Sequence, residues 1–247
     1  LTYANGTSET YAYNLAGWVT NVSNYAGDEL LSSFDYTYYA DGSQRTKTTL
    51  DDTVTTYVYD GLGRLTNESV SGGTSLAYTY DARGNRATLT ATGEEYYSVS
   101  YTYDAANRLL SELKNESNVL TSTTYAYDAN GNTISKQQVT DGLTVRSETS
   151  TYNAFNQLTA QTLNEAGIVT DLAYEYYPDG IRGVKTVDSV PTVYLVNSGY
   201  VVAEYRESTL TSVYLWGANL IKAGIGDDVF YYLYNAHGDV VQLTNED

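Results

Sequence analysis

The sequence predicts an all-β protein, a long antiparallel array of β-hairpins coiled into a curved or spiral wall. Three observations lead there. A segment of the type Tyr-x-Tyr-Asp-x-x-Gly recurs eight times, its second tyrosines 21 to 25 residues apart. The aromatic content is 28 Tyr against 3 Phe and 2 Trp, so what demands a ring also demands a hydroxyl on it. Between the turn signals, Ser, Thr and β-branched residues prevail, and no stretch offers a capped helical period.

In chain order the units carry Tyr11, Tyr13, Asn14 and Gly17; Tyr36, Tyr38 and Gly42; Tyr57, Tyr59, Asp60 and Gly63; and Tyr78, Tyr80, Asp81 and Gly84. Next come Tyr101, Tyr103, Asp104 and Asn107; Tyr125, Tyr127, Asp128 and Gly131; Tyr152, Asn153 and Asn156, with Ser150 in place of the first tyrosine; and Tyr174, Tyr176 and Gly180. Side chains alternate along a strand, so Tyr-x-Tyr puts both rings on one face. The four residues that follow fit a type I turn, with Asp or Asn opening it and Gly or Asn taking the left-handed position. Such a turn closes a hairpin with a bulge. Leu65, Leu109 and Leu158 then fall on returning strands.

A second turn closes each period, as at Ser71-Gly72-Gly73, Thr92-Gly93-Glu94, Thr140-Asp141-Gly142 and Glu165-Ala166-Gly167. Two strands of about eight residues and two turns account for the repeat. The units also alternate: those reading Gly63-Arg64-Leu65 or Asn107-Arg108-Leu109 interleave with more polar ones such as Gly84-Asn85 and Gly131-Asn132. Sixteen strands at about 4.8 Å make a ribbon roughly 75 Å long, and twisted sheets beyond about ten strands coil.

Composition excludes several functions. Thirteen Lys and Arg against thirty Asp and Glu leave a charge of −17, which repels nucleic acid and anionic membranes. No apolar run is long enough for a membrane span. The absence of Cys and Met removes disulfides and thiol chemistry, and marks the chain as an expected piece of something longer. No metal or cofactor site is expected. His237 is the single histidine, read as a turn residue rather than a catalytic base. The pairs Asp51-Asp52, Glu94-Glu95 and Asp227-Asp228 are read as solvated loops, and Asp128 to Asn132 lacks the ligand density of a calcium loop.

These units resemble the YD repeats of Rhs proteins, a group that includes bacterial wall-associated and polymorphic-toxin proteins, toxin-complex shells and teneurins. The resemblance covers residues 11 to 187. The stretches Tyr214 to Leu220 and Tyr231 to Asp239 are similar to the sequence leading into the Rhs-associated core, so residues 188–247 read as degenerate repeats, with the core itself missing. The resemblance implies a non-enzymatic structural shell segment of a secreted or cell-surface bacterial protein. Its expected partner is a polypeptide cargo or C-terminal effector of the same longer chain. A second reading makes the tyrosine ladder a carbohydrate-binding or adhesive module, with glycans stacking on rings such as Tyr80 and Tyr103. Unprotected end strands offer a route to self-association.

Overall fold

The computed structural model describes residues 1–245, and all the regular structure among them is β-strand. In order the strands are β1 (Thr7–Tyr13), β2 (Val19–Ala26), β3 (Glu29–Tyr38), β4 (Gln44–Thr49), β5 (Val54–Tyr59), β6 (Leu65–Val70), β7 (Ser75–Tyr80), β8 (Arg86–Thr92), β9 (Tyr97–Tyr103), β10 (Leu109–Glu116) and β11 (Val119–Tyr127). They continue as β12 (Thr133–Thr140), β13 (Leu143–Tyr152), β14 (Leu158–Glu165), β15 (Ile168–Tyr176), β16 (Arg182–Val187), β17 (Val190–Asn197), β18 (Tyr200–Arg206), β19 (Thr209–Trp216), β20 (Leu220–Ile225), β21 (Asp228–Tyr234) and β22 (Val240–Thr244). The ladders are antiparallel and join sequence neighbours, as in β1–β2, β5–β6 and β11–β12.

Two kinds of turn recur. After each Tyr-x-Tyr the chain makes the bulged connection that the sequence predicts. Gly63 N–H donates to Asp60 O at 3.0 Å and Asp60 N–H to Arg64 O at 2.9 Å. Val58 faces Asn67 while Tyr59 faces Leu65, leaving Thr66 as the extra residue. The left-handed position is Gly63 at φ 76°, and Asn107 and Asn156 take it at 61° and 59°, which few residues other than glycine do readily. From β10 to β19 the opposite rim uses two-residue turns with both φ positive, such as Asp141-Gly142 and Ala166-Gly167, the type that matches strand twist, whereas β4–β5 and β6–β7 close there with the bulged kind, Asp52 N–H donating to Thr49 O and Gly73 N–H to Val70 O.

The chain divides into two compact units. One comprises Leu1–Ala77, Thr92–Glu95 and the segment from Val213 on; the other comprises Tyr78–Ala91 and Tyr96–Ser212. The first unit holds the best-packed core. Tyr3, Tyr231 and Leu233 form a cluster with Leu31, Ile221 and Val229 against it, and the chain's largest fully buried side chains are Leu233, Val22 and Asn24. Here β20–β22 cover the tyrosine face of β1–β3: Asn24 Nδ2 donates to Tyr234 O at 3.3 Å, Ala236 N–H to the Tyr36 hydroxyl at 3.3 Å, and the Tyr3 and Tyr231 rings meet edge to face at 6.1 Å. In the second unit the buried apolar residues are Tyr78, Leu89, Ala91, Val99 and Ala203. Its remaining repeat tyrosines are half-buried.

Candidate functional site: the tyrosine face

In five units the second tyrosine reaches back to the preceding unit. Tyr38, Tyr103, Tyr127, Tyr152 and Tyr176 donate their hydroxyls to the carbonyls of Val19, Arg86, Leu109, Thr133 and Leu158, at 2.6, 2.9, 2.7, 3.1 and 2.8 Å. Each acceptor lies two residues beyond the left-handed turn position of the earlier hairpin, so one geometric rule generates all five. Tyr234 does the same to Leu220 O at 2.6 Å. This supplies a reason for Tyr over Phe: the hydroxyl donates to a backbone carbonyl beside the bulge, a bond that Phe cannot make.

Two of these units also reach forward. Where the sequence reads Tyr38-Tyr39-x-Asp-Gly and Tyr176-Tyr177-x-Asp-Gly, the extra tyrosine opens the turn. Its hydroxyl goes forward, from Tyr39 to Tyr57 O at 3.0 Å and from Tyr177 to Tyr194 O at 2.8 Å. The aspartate moves two places along, so Asp41 and Asp179 accept from Ser43 and Ile181 N–H.

The ring faces are occupied as well. In the second unit Arg86 lies over Tyr78 at 4.5 Å, Lys114 over Tyr97 at 4.4 Å, Arg108 over Tyr127 at 4.9 Å, Arg182 over Tyr174 at 4.8 Å and Lys136 over Tyr125 at 5.8 Å. These contacts place scarce cations on the rings' negative faces. Glutamates complete the lining. The Tyr125 hydroxyl donates to Glu112 at 3.1 Å; burial, and then the Glu112 charge, push its pKa up to about 12. Burial and Glu68 do the same at Tyr57, also to about 12.

Each turn closes on a carboxylate or amide. Asp60 Oδ1 accepts the N–H groups of Leu62 and Arg64, and Oδ2 accepts Arg64 Nε at 2.7 Å. Asp81 pairs in this way with Asn85, Asp104 with Arg108 and Asp128 with Asn132. Asn153 and Asn235 reverse the polarity, donating to Gln157 and Asp239. The residue after the left-handed position is therefore the turn partner, a role the sequence reading missed although the Arg/Asn alternation there was its signal. These bonds hold the carboxyls of Asp60, Asp81, Asp104 and Asp128 below the ordinary range, led by the Arg64 side chain, the Asn85 side chain, the Arg108 backbone and the Asn132 side chain.

In the first unit Glu9 is 4% exposed. It accepts the hydroxyls of Tyr3 at 3.0 Å and Tyr11 at 3.1 Å, and Tyr234 N–H at 3.3 Å. Nothing in the sequence marked it. Tyr11 and Tyr13 are the two repeat tyrosines left exposed, at 40% and 60%, and they stack at 6.5 Å. His237 sits in the ninth turn of this kind, which Asn235 opens. Its N–H donates to Asn235 Oδ1 and its ring meets Tyr36 at 5.8 Å. Asp51 is spent on Thr49 and Thr53. Among the described residues no group of three or more His, Cys, Asp or Glu could hold a metal, and no helix could cross a membrane.

Comparison with known proteins places this geometry. Residues 43–186 match the model of the teneurin YD-shell family. The curated tRNA3(Ser)-specific nuclease WapA of Bacillus spizizenii is 28% identical over 198 residues, covering 76% of this chain and 8% of that protein. In fold, 98% of the chain superposes on 16% of a TcdB2-TccC3 chain at 16% identity and a TM-score of 0.51. The Photorhabdus luminescens Tc holotoxin pore gives the same TM-score with 99% and 16% covered, again at 16% identity. The chain thus spans a small fraction of each relative's length. A tyrosine repeat that clasps hairpin to hairpin, together with a family match across more than half of the sequence, identifies the chain as a member of the teneurin YD-shell family.

Proposed function

We propose that the chain is a wall segment of a YD-repeat shell in a secreted or surface bacterial protein. Residues 1–187 would form the hairpin array and residues 188–247 the degenerate repeats leading toward a core. The wall encloses or presents a polypeptide effector belonging to the same longer chain, and has no catalysis of its own. The observation that carries this reading is the clasp: five hydroxyl-to-carbonyl bonds at one repeated offset stitch five of the hairpins to their predecessors, which suits an extended wall better than a localised cleft. The half-buried rings and their cation covers support a structural role over glycan stacking at Tyr103 and its neighbours.

Limited proteolysis of the full-length protein tests it. The effector segment should resist cleavage in the intact chain and become sensitive when the clasping tyrosines are replaced by phenylalanine. Equal cleavage in both would contradict enclosure. Glycan binding lost in Tyr103→Ala with unchanged stability would favour the adhesive reading.

A further inference from the structure

The rim opposite the aspartate turns carries an apolar row in the second unit. Val119, Leu143, Ile168 and Val190 are each the first residue of a strand, β11, β13, β15 and β17. They are exposed at 42, 72, 74 and 42%. Register places all four on the tyrosine face. Val119 lies six residues before Tyr125 on β11 and Ile168 six before Tyr174 on β15. Leu143 faces Thr140, in phase with Lys136, which faces Tyr125; Val190 is in phase with Thr192, which faces Lys185, the partner of Tyr174. An acid accompanies each: Glu116, Asp141, Glu165 and Asp188. Lys114 pairs with Glu116 at 2.8 Å, and Arg146 lies 3.8 Å from Glu165. Asp141 and Asp188 accept the N–H groups of Leu120 and Asp171 and have no ion pair among the described residues.

The tyrosines of this face are spent on carbonyls and cations, so the row is its accessible apolar chemistry. In the first unit the strand-opening place on the corresponding rim belongs to Glu29, but Leu31, the bulge residue two positions on, packs against the cluster that includes β21, so polypeptide is what this chain itself lays over apolar side chains near that rim. We propose that the row is a docking ledge for an extended basic-aliphatic segment of the cargo polypeptide. The inference rests on the wall reading and names where the wall grips. Alternate strands repeat at about 9.6 Å. A polyproline II segment repeats one face every three residues, about 9.3 Å, whereas a β-strand repeats at about 6.7 Å. An occupant with an aliphatic and a basic residue in each triplet would meet one ledge side chain at every turn and an acid without an ion pair, Asp141 or Asp188, at every second one.

The test is fluorescence anisotropy of a labelled peptide of four Lys-Leu-Pro repeats against the 247-residue chain. It should bind, a Glu-Leu-Pro peptide should not, and Leu143→Ser/Ile168→Ser should weaken binding at least about tenfold. Asp141→Asn/Asp188→Asn should weaken it and flatten its salt dependence, while Phe155→Ser, on the opposite rim, should leave it unchanged. Absence of binding, equal binding of the acidic peptide, or undiminished binding by the Leu143/Ile168 variant would overturn the ledge. Circular dichroism of the variants shows that the sheet is intact. The wall reading depends on effector protection and would survive such a failure.

Discussion

The same tyrosine face is managed in two ways in the two compact units. Around Tyr3, Val22, Asn24 and Tyr36 it is sealed under β20–β22, with Val22, Asn24 and Leu233 fully buried and Glu9 accepting from Tyr3 and Tyr11 nearby and from Tyr234 far along the chain, while Tyr11 and Tyr13 at its edge stay exposed. From β9 to β17 the repeat tyrosines stay half-buried, and the chain covers them with its own cations and carbonyl bonds instead of a second layer. A YD repeat can therefore serve as an ordinary packed core or as a finished wall surface. What differs is whether strands are laid on top.

That contrast can be broken by mutation. Leu233→Ala should cost about 4 kcal/mol in urea unfolding, whereas Leu89→Ala, at the better-packed end of the second unit, should cost about 2. Equal losses would erase the distinction. Glu9→Ala leaves two hydroxyls and one N–H without their acceptor, and should cost about 2–4 kcal/mol. Hydrogen exchange should then rise first in β21, and a uniform rise across the chain would mean that Glu9 does not hold the terminal strands. Gly63→Ala, at φ 76°, should cost about 1 kcal/mol and Gly63→Asn less, because asparagine already serves at the equivalent places.

Proton linkage supplies a gentler probe. The folded pKa values of Tyr11, Tyr57 and Tyr125 are raised to about 12, so their contribution is complete below about pH 10, the unfolded value, and is lost as pH climbs through 12. The turn carboxyls of Asp60, Asp81, Asp104 and Asp128 are depressed, so their contribution holds above about pH 4 and fades as pH falls below it. Stability measured against pH should show both flanks. Replacing Asp104 by Asn should flatten only the acid one.

The hairpin array was legible because its signals are local. Tyr-x-Tyr fixes a face and Asp-x-x-Gly fixes a turn, so Asp60 and Gly63 announce their geometry within four residues. The replacement of glycine by Asn107 and Asn156 follows backbone conformation and could be read the same way. What the sequence concealed is relational. That Tyr127 clasps Leu109 O depends on the stagger between two hairpins, that Arg86 covers Tyr78 depends on cross-strand register, and that Glu9 meets Tyr234 joins residues 225 positions apart. No periodicity in composition encodes these. The ninth turn at Asn235 was visible as a motif, yet its burial against Tyr36 was not.

The account depends on the clasping hydroxyls holding hairpin to hairpin. Equilibrium unfolding of the chain carrying Tyr103→Phe, Tyr127→Phe, Tyr152→Phe and Tyr176→Phe together measures that directly, with Tyr13→Phe as the reference because Tyr13 makes no hydroxyl bond among the described residues. At about 0.5–1.5 kcal/mol for each lost bond, the quadruple variant should lose about 2–6 kcal/mol while the reference loses almost nothing. A quadruple variant as stable as the reference would contradict the account.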